Sequence, residues 1–347
     1  MKFERVLLAA ALAGLWSEPA PAQKVATSSL QFLKVMPTAR ATAMGEAFST
    51  LASGADAVFW NPAGIALAKQ PEIAGTLTLW LFDAKQGALS FAAPMGEWGS
   101  IGVQLQYVAY GAIQETSVDH LRFIGNPSAA NYNPGLTGRT FSPASYVIGI
   151  SYARRFTDKF AAGVTAKFIS ESLWDGSQAS VVNPSTGNAE QVSTSARLFL
   201  FDFGLQYDTG FRTVRLGVSI QNFGQQVMFA EEAYPAPLTF RIGAAADLIG
   251  PDALLEQSAM NRFTIAYDLF QPNDYAQQMH LGAEYALDET FFLRGGYKFS
   301  YDSDGLTAGA GVRHSISGTL FAIDYSFGTM GEFLPSVHRI SVGAQLQ

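Results

Sequence analysis

Seven consecutive residues, Ile101-Gly102-Val103-Gln104-Leu105-Gln106-Tyr107, place an apolar side chain at every odd position and a small or polar one at every even position. Successive side chains of a β-strand point to opposite faces of the sheet, so this stretch predicts a strand with one apolar face and one polar face. The same alternation recurs along most of the chain, and turn residues separate one alternating segment from the next. The sequence therefore predicts an all-β fold beyond residue 71.

The alternation divides this region into about fourteen strands. We place them at 72–82, 86–95, 99–110, 143–155, 159–172, 191–208, 212–222, 236–248, 261–270, 276–287, 290–300, 304–314, 317–327 and 336–346. An even number of antiparallel strands brings both ends of a sheet to the same side.

The first residues have the pattern of a secretory signal peptide. Lys2 and Arg5 supply the positive charge, Val6–Leu15 is apolar, and Ala20-Pro21-Ala22 is a small-x-small cleavage site ahead of Gln23. The apolar run is too short for a bilayer-spanning helix. We therefore predict that residues 1–22 are a cleaved signal peptide that exports the protein.

The composition agrees with a surface that faces lipid. Of the 347 residues 48% are hydrophobic and 15% are charged, whereas a soluble domain carries about a quarter charged residues. The net charge of −7 and the lack of a basic run exclude a nucleic-acid partner. There is no cysteine, so disulfides, cysteine metal sites and a lipoprotein anchor are excluded as well.

Loop lengths give an independent indication of the fold, because bacterial outer-membrane barrels have short periplasmic turns and long extracellular loops. With the first strand entering from the periplasm, five of the six periplasmic connections are tight, near 96–98, 155–158, 208–211, 288–290 and 315–317, and only 249–260 is longer. The three longest connections fall outside, near 111–142, 173–190 and 223–235.

These patterns predict a transmembrane antiparallel up-and-down β-barrel in the outer membrane of a Gram-negative bacterium, with outer-membrane lipid around it. A soluble β-sandwich also alternates, but the signal, the even strand number and the loop asymmetry favour the barrel. We expect the barrel to occupy residues 71–347.

The inward-facing parity of the strands collects most of their charges. The basic ones are Lys167, Arg215, Arg241, Arg262, Arg294, Lys298, Arg313 and Arg339, and the acidic ones are Asp202, Asp247, Asp268, Glu284 and Asp324. The hairpin turns predict that Glu284 lies opposite Arg294 and that Asp268 lies opposite His280. We expect these charges to neutralise one another in the lumen rather than to form a substrate site. The excess of basic groups is suited to holding an acidic or backbone-rich plug.

Residues 24–70 do not alternate. Residues 37–51 show helical spacing of apolar side chains, and the turn Asn61-Pro62-Ala63-Gly64 follows, in which Pro62 favours an extended Asn61 and Gly64 is suited to a positive φ. The segment is too apolar for a periplasmic linker and too short for a domain. We therefore predict that residues 23–70 form a small N-terminal hatch inside the barrel.

The same region resembles a known family. Residues 32–48, which include Pro37, Arg40 and Gly45, and residues 56–64, which include Asn61, Pro62 and Gly64, are similar to the N-terminal signature of the PorV/PorQ family. That family is similar in turn to the FadL-type fourteen-stranded transporters. The resemblance implies an outer-membrane protein of type IX secretion, with secreted proteins bearing C-terminal sorting domains, or other secretion-system components, as partners.

Two functions follow from these observations. The first is binding of secreted proteins at the extracellular face, with Phe229 and Tyr234 in a long outer loop as candidate partner-binding residues. The alternative is FadL-like transport of hydrophobic small molecules. The four histidines show no metal-ligand spacing, and Asp268 with His280 lacks a nucleophile, so the sequence indicates no cofactor, no metal and no enzyme activity.

Overall fold

The computed structural model describes residues 27–122, 128, 132–176, 178–182, 186–229 and 232–346. The predicted signal peptide lies outside the described residues. Fourteen long strands, numbered β1 to β14, form the barrel: Glu72–Leu79, Lys85–Pro94, Ser100–Ala109, Ala144–Thr157, Phe160–Ser172, Ser195–Asp208, Arg215–Gly224, Thr239–Gly250, Asn261–Pro272, Gln278–Leu287, Phe291–Phe299, Asp304–Ile316, Thr319–Met330 and Val337–Gln345.

Each barrel strand pairs antiparallel with its neighbours in the sequence, and β1 pairs with β14 to close the sheet. Even the two shortest ladders pair residue by residue. They join Arg215–Gln221 to Thr239–Ala245 and Phe291–Tyr297 to Leu306–Val312. Closure leaves no unpaired edge, as a sheet in lipid requires. The predicted fourteen-stranded up-and-down barrel is confirmed.

The two faces of the wall follow the predicted parity. On β4 the outward Ile148 and Ile150 are 45% and 67% exposed, whereas Val147 and Ser151 on either side of this pair are buried. Exposed apolar side chains on this surface meet lipid, because the bilayer core favours them. The faces assigned from the sequence are those observed.

Further strands extend the connections between the barrel strands. Two-stranded sheets lie in the three longest loops, formed by Ile113–Arg122 with Asn133–Phe141, Gln178–Val182 with Ala189–Ser193, and Gln226–Met228 with Ala233–Pro235. The long periplasmic connection at 249–260 is ordered, because Glu256–Gln257 pairs in parallel with the end of β8.

Residues 27–70 fill the lumen with short helices rather than strands. These are two α-helices, α1 and α2, at Ala39–Ala43 and Ala57–Trp60, and 3-10 turns at Gln31–Lys34, Gly54–Asp56 and Pro62–Leu67; further 3-10 turns occur in connections at Leu81–Asp83 and Gly96–Trp98. No helix among the described residues is long and apolar enough to cross a membrane.

The helix predicted over 37–51 is wrong in its length. It ends at Ala43, because Gly45 and Glu46 adopt positive φ angles of 62° and 64° that a right-handed helix does not allow. The chain then turns toward the wall, where Asp268 accepts hydrogen bonds from the backbone N–H groups of Phe48 and Ser49. Contacts with the barrel therefore replace the hydrogen bonds that a longer helix would have made.

Candidate functional site

The N-terminal segment runs through the lumen from the extracellular mouth to the periplasmic end. At the outer end the Ser29 N–H donates to the carbonyl of Pro235, in the loop before β8. At the inner end the Leu346 N–H donates to the carbonyl of Pro71, just before β1 begins. The segment, residues 27–70, is called the hatch from here on.

The hatch lies directly against glycines of the barrel wall. A Cβ atom on Gly296 would lie 2.2 Å from the Gly45 nitrogen, and one on Gly163 would lie 2.5 Å from the Pro62 carbonyl carbon. The glycines that a Cβ would drive into the hatch form a belt around the lumen, one on each of eight strands: Gly102, Gly163, Gly204, Gly217, Gly243, Gly282, Gly296 and Gly309. This glycine belt lets backbone pack on backbone, so the hatch fits the wall as closely as a protein core.

The turn at Asn61 anchors the hatch to the wall. The buried Asn61 amide donates to the carbonyls of Ser49 (2.8 Å) and Leu205 (3.1 Å), and its side-chain oxygen accepts from the Ala63 N–H. Asn61 is extended, as predicted, with a φ of −155°. The positive φ expected at Gly64 is not observed; a Cβ there would lie 2.0 Å from the Ala52 carbonyl oxygen, so Gly64 provides space rather than a special backbone angle.

The other residues of the hatch motif also face the wall. Arg40 on α1 donates from Nε and one terminal nitrogen to the two carboxylate oxygens of Glu284, both at 2.9 Å. The Gly45 N–H donates to the Thr307 hydroxyl at 2.9 Å. Pro37 is buried just ahead of α1.

The predicted cross-strand registers are confirmed, but the side chains at one of them bind different groups. Glu284 lies opposite Arg294 and accepts a hydrogen bond from it at 2.6 Å. Asp268 lies opposite His280, yet Asp268 binds the hatch backbone, while His280 contacts Arg241 and Tyr301. Asp268 and His280 therefore have separate structural roles.

Two basic residues of the wall contact an acidic residue of the hatch. Arg241 and Lys298 both contact the Glu46 carboxylate, and Arg241 also donates to the Glu46 carbonyl. Burial would raise the pKa of Glu46, but Lys298 and Arg241 outweigh it and hold the pKa well below its usual range. One buried acid of the hatch thus binds two cations of the wall.

The remaining lumen charges lie in the positions predicted for them. Lys167 pairs with Asp202 at 2.7 Å, and Arg215 with Asp247 at 3.3 Å nearer the periplasm. Arg313 has no carboxylate within 4.0 Å among the described residues and stacks on Phe292, 4.5 Å from the ring centroid. No group of three His, Asp or Glu side chains in the described part of the chain is placed to hold a metal.

A cavity of about 570 Å³ lies beneath the extracellular loops. Apolar side chains of the hatch and the wall line much of it, among them Phe32, Leu33, Met36, Val108 and Phe270. A second cavity of about 590 Å³ opens at the periplasmic end and is lined by more polar side chains. The two have no described lining residue in common, because the hatch and the glycine belt lie between them.

The outer end of the hatch is fastened to the loop between β9 and β10. Asp274 in that loop accepts hydrogen bonds from Ser28, Gln31 and Lys34. Burial would raise the pKa of Asp274, but the hydrogen bonds from Lys34, Ser28 and Gln31 outweigh it and lower the pKa. We call this arrangement the Asp274 latch. The sequence showed Asp274 only as the centre of a turn, because its partners lie about 240 residues away.

The two candidate partner-binding residues lie in different surroundings. Tyr234 is 42% exposed, and its hydroxyl donates to Glu232. Phe229 is half-buried and packs against the apolar cluster that includes Leu33 and Val227 at the top of the hatch. Phe229 is therefore partly covered by the hatch, whereas Tyr234 remains accessible.

Trp60 is a central residue that the sequence analysis missed. It is fully buried, packs edge-on against Phe48, and donates from its indole nitrogen to the Thr38 hydroxyl. A tryptophan directly before the Asn-Pro turn was the available signal, since a large aromatic side chain contributes most to a small core.

Comparison with known proteins gives one matching family model and several similar structures. A family model described as "Type IX secretion system protein PorV" matches residues 18–265. No curated protein matches the sequence. Among solved structures, the Pseudomonas putida toluene transporter TodX is 14% identical, with a TM-score of 0.54 over 88% of this chain and 95% of that chain.

Two further structures are similar. The TodX deltaS2S3 mutant, a monoaromatic hydrocarbon channel, is 15% identical, with a TM-score of 0.52 over 88% of this chain and 97% of that one. A Pseudomonas aeruginosa FadL homologue is 11% identical, with a TM-score of 0.49 over 89% and 98%. At these identities the likeness to TodX shows the fold alone, a transmembrane β-barrel.

Proposed function

This chain belongs to the PorV family of type IX secretion system proteins, and on that premise we propose that it binds secreted proteins at its extracellular face. The partners would be proteins that carry C-terminal sorting domains, or other components of the secretion system. In this proposal the barrel is a docking platform in the outer membrane, and the polypeptide does not pass through its lumen.

The observation that carries this proposal is the fit between the hatch and the glycine belt. Backbone atoms of Met44 and Gly45 lie so close to Gly282 and Gly296 that a single Cβ would overlap them. Displacing the hatch would also separate Glu284 from Arg40 and Asp268 from Ser49. A lumen closed in this way favours a function at the surface over passage through the centre.

The extracellular loops supply the surface for docking. The hairpin Gln226–Met228 with Ala233–Pro235 presents Met228 and Tyr234, which are 57% and 42% exposed. Exposed aromatic and methionine side chains on a fixed hairpin are the residue types that dominate binding hot spots. Phe229 would act indirectly, by packing the base of this loop against the hatch.

The test measures capture of a purified secreted protein that bears a C-terminal sorting domain by the purified barrel in detergent. We expect Met228→Ala combined with Tyr234→Ala to weaken binding by about tenfold or more, since loss of one hot spot corresponds to about 1.4 kcal/mol or more. Phe211→Ala is the matched control, because Phe211 is 67% exposed in a periplasmic turn. Capture that survives removal of the whole hairpin would contradict the proposal.

The alternative is FadL-like transport of hydrophobic small molecules, and the apolar cavity beneath the loops favours it. A transporter also needs a path onward from that cavity, through the hatch or through the wall. Uptake of toluene by cells that produce the barrel, measured against cells that lack it, separates the two. If uptake depends on the barrel and the loop variant still captures secreted protein, the function is transport of hydrophobic molecules rather than docking.

A further inference from the structure

The lipid-facing surface of the barrel carries few charged side chains, and those in the described strands are all cations. Lys85 and Arg197 lie at the extracellular ends of β2 and β6, and Arg154 lies at the periplasmic end of β4. Arg154 is exposed and forms no ion pair with a described carboxylate. The periplasmic end of β4 therefore presents a positive charge to the lipid, where charged side chains are rare.

Arg154 lies at the level of the phospholipid headgroups. On the same face of β4, Tyr146 and Tyr152 flank the exposed Ile148 and Ile150, so an aromatic residue marks each end of the apolar band. Arg154 follows Tyr152 by two residues, which is about 6–7 Å along a strand that rises about 3.3 Å per residue. A cation just beyond the aromatic girdle is at the depth of the lipid phosphates.

The neighbours of Arg154 leave it accessible from the lipid. Trp98 and Phe156 lie near it in the sheet and are 79% and 64% exposed. The Tyr152 hydroxyl donates to the Trp98 carbonyl at 2.7 Å and so joins the turn between β2 and β3 to β4. Arg154 pairs with Ala162 of β5, and this small side chain does not cover it. Apolar and aromatic groups thus surround a single accessible guanidinium.

The two turns next to Arg154 hold the positive charge of the periplasmic edge. At the end of β4 and in the turns from β4 to β5 and from β6 to β7, four cations accompany two carboxylates: Arg154, Arg155, Lys159 and Arg212 against Asp158 and Asp208. The two turns are joined, because the Asp208 N–H donates to the Lys159 carbonyl at 2.7 Å. The other four periplasmic connections, all described, hold five acidic residues and no basic one: Glu97, Asp252, Glu256, Asp288 and Glu289. The edge therefore attracts anions at β4–β7 and repels them elsewhere.

We propose that the periplasmic end of β4 binds an anionic phospholipid of the periplasmic leaflet, with the phosphate on Arg154 and the acyl chains against Tyr152 and Ile150. The guanidinium donates in a fork that matches two phosphate oxygens. The basic turns favour a headgroup with a net negative charge over a zwitterionic one. A lipid fits better than an acidic peptide, because Arg154 belongs to the outward face of β4. This site and the docking loops lie at opposite ends of the barrel, so either proposal can fail alone.

The first experiment measures lipid retention by native mass spectrometry of the full-length barrel released from detergent. Phosphatidylglycerol and phosphatidylethanolamine with the same acyl chains are added in equal amounts. We expect phosphatidylglycerol to be retained about fivefold more, the effect of roughly one basic residue at an anionic membrane surface. Arg154→Gln should remove most of this preference, and Arg154→Lys should keep it.

The matched control is Lys85→Gln, because Lys85 is also a lipid-facing cation but lies at the extracellular end of β2. This variant should keep the preference for phosphatidylglycerol. An equal loss in Lys85→Gln and Arg154→Gln would mean that any surface cation attracts the lipid, and the proposed site would be wrong.

The second experiment locates the lipid with the fluorescence of Trp98 in vesicles that contain brominated phosphatidylglycerol or brominated phosphatidylethanolamine. The signal of Trp98 is the difference between the wild-type protein and Trp98→Phe. We expect stronger quenching by the brominated phosphatidylglycerol, and less of a difference between the two lipids at high salt.

Equal retention of the two lipids by the wild-type barrel would overturn the proposal, and this comparison stands even if Arg154→Gln does not fold. Retention of hexaglutamate by a wild-type barrel that binds both lipids equally would also overturn it, and would assign the basic turns to an acidic peptide instead.

Discussion

The middle of the lumen and its extracellular mouth are built in opposite ways. In the middle, glycines of the belt bring the wall against the hatch, and Glu284 is fully buried among Arg40, Arg262 and Arg294. At the mouth a cavity remains open, and the hairpins above it keep their charges in water, as in the pair of Arg139 with Glu115. The hatch therefore fills the centre of the lumen, whereas a cavity remains near its outer end.

The largest expected effect comes from removing the carboxylate of one ion pair in each region and comparing the loss of stability. Glu284→Ala should destabilise the barrel by about 3–5 kcal/mol, because it leaves Arg40 and Arg294 buried without their carboxylate. Glu115→Ala removes the partner of Arg139, whose side chain is 76% exposed, and should cost about 0–1 kcal/mol. Urea unfolding in lipid vesicles, followed by heat-modifiable migration on a gel, measures both.

If both variants lose the same free energy of unfolding, the middle of the lumen is as well hydrated as the loops. In that case the hatch would not seal the barrel, and the argument against passage through the centre would fail. A double variant, Glu284→Ala with Arg40→Ala, sharpens the test. It should recover part of the loss if the hatch and the wall are coupled through this pair.

A smaller effect is expected from adding atoms to the glycine belt. Gly296→Val places a Cβ where the Gly45 nitrogen is 2.2 Å away, and overpacking of this kind typically costs about 1–3 kcal/mol. Gly295→Val is the matched control on the same strand but the opposite face, because its Cβ would meet only the Thr307 carbonyl oxygen, at 3.9 Å.

The measurement is single-channel conductance in planar bilayers together with unfolding in urea. Gly296→Val should lower the unfolding midpoint and raise the frequency of open events, since the hatch must shift to make room. Gly295→Val should change neither by a comparable amount. Identical behaviour of the two variants would mean that the hatch does not rest on the belt.

Most of the barrel could be predicted from the sequence, because alternation along a strand is local. The same parity also gave the register of Glu284 with Arg294, since a tight turn fixes which residues oppose each other. The hatch was harder to predict. Its helix ends at Ala43 because the chain beyond it turns to contact distant wall residues. Gly64 is required by a contact with Ala52 rather than by its own φ.

The binding features at the mouth needed the structure for the same reason. Arg339 was recognised from the sequence as one inward-facing cation among eight. Its contacts with the Met36 carbonyl and the Trp80 ring become visible only in the structure, because both partners lie far away in the sequence. Phe229 was predicted to bind a partner because it lies in a long loop, but it is half-buried against the top of the hatch. Composition and periodicity do not show which distant segments meet.

The smallest expected effect concerns the Asp274 latch at the mouth. The pKa of Asp274 is lowered in the folded protein, so its contribution is present above the ordinary aspartate pKa of about 3.9 and is lost as the pH falls through the folded value. Hydrogen exchange of residues 28–34 should therefore show protection at neutral pH that decreases at an acid pH well below the ordinary aspartate pKa, after correction for the intrinsic exchange rate. Asp274→Asn should remove the pH dependence and cost about 1 kcal/mol. The control is Asp302→Asn in the neighbouring loop, where Asp302 accepts a hydrogen bond from the Tyr275 hydroxyl. This variant should keep the pH dependence of the exchange. If the wild-type protein shows the same protection at neutral and at acid pH, the outer end of the hatch is held by its apolar contacts alone. The mouth would then be as firmly closed as the middle.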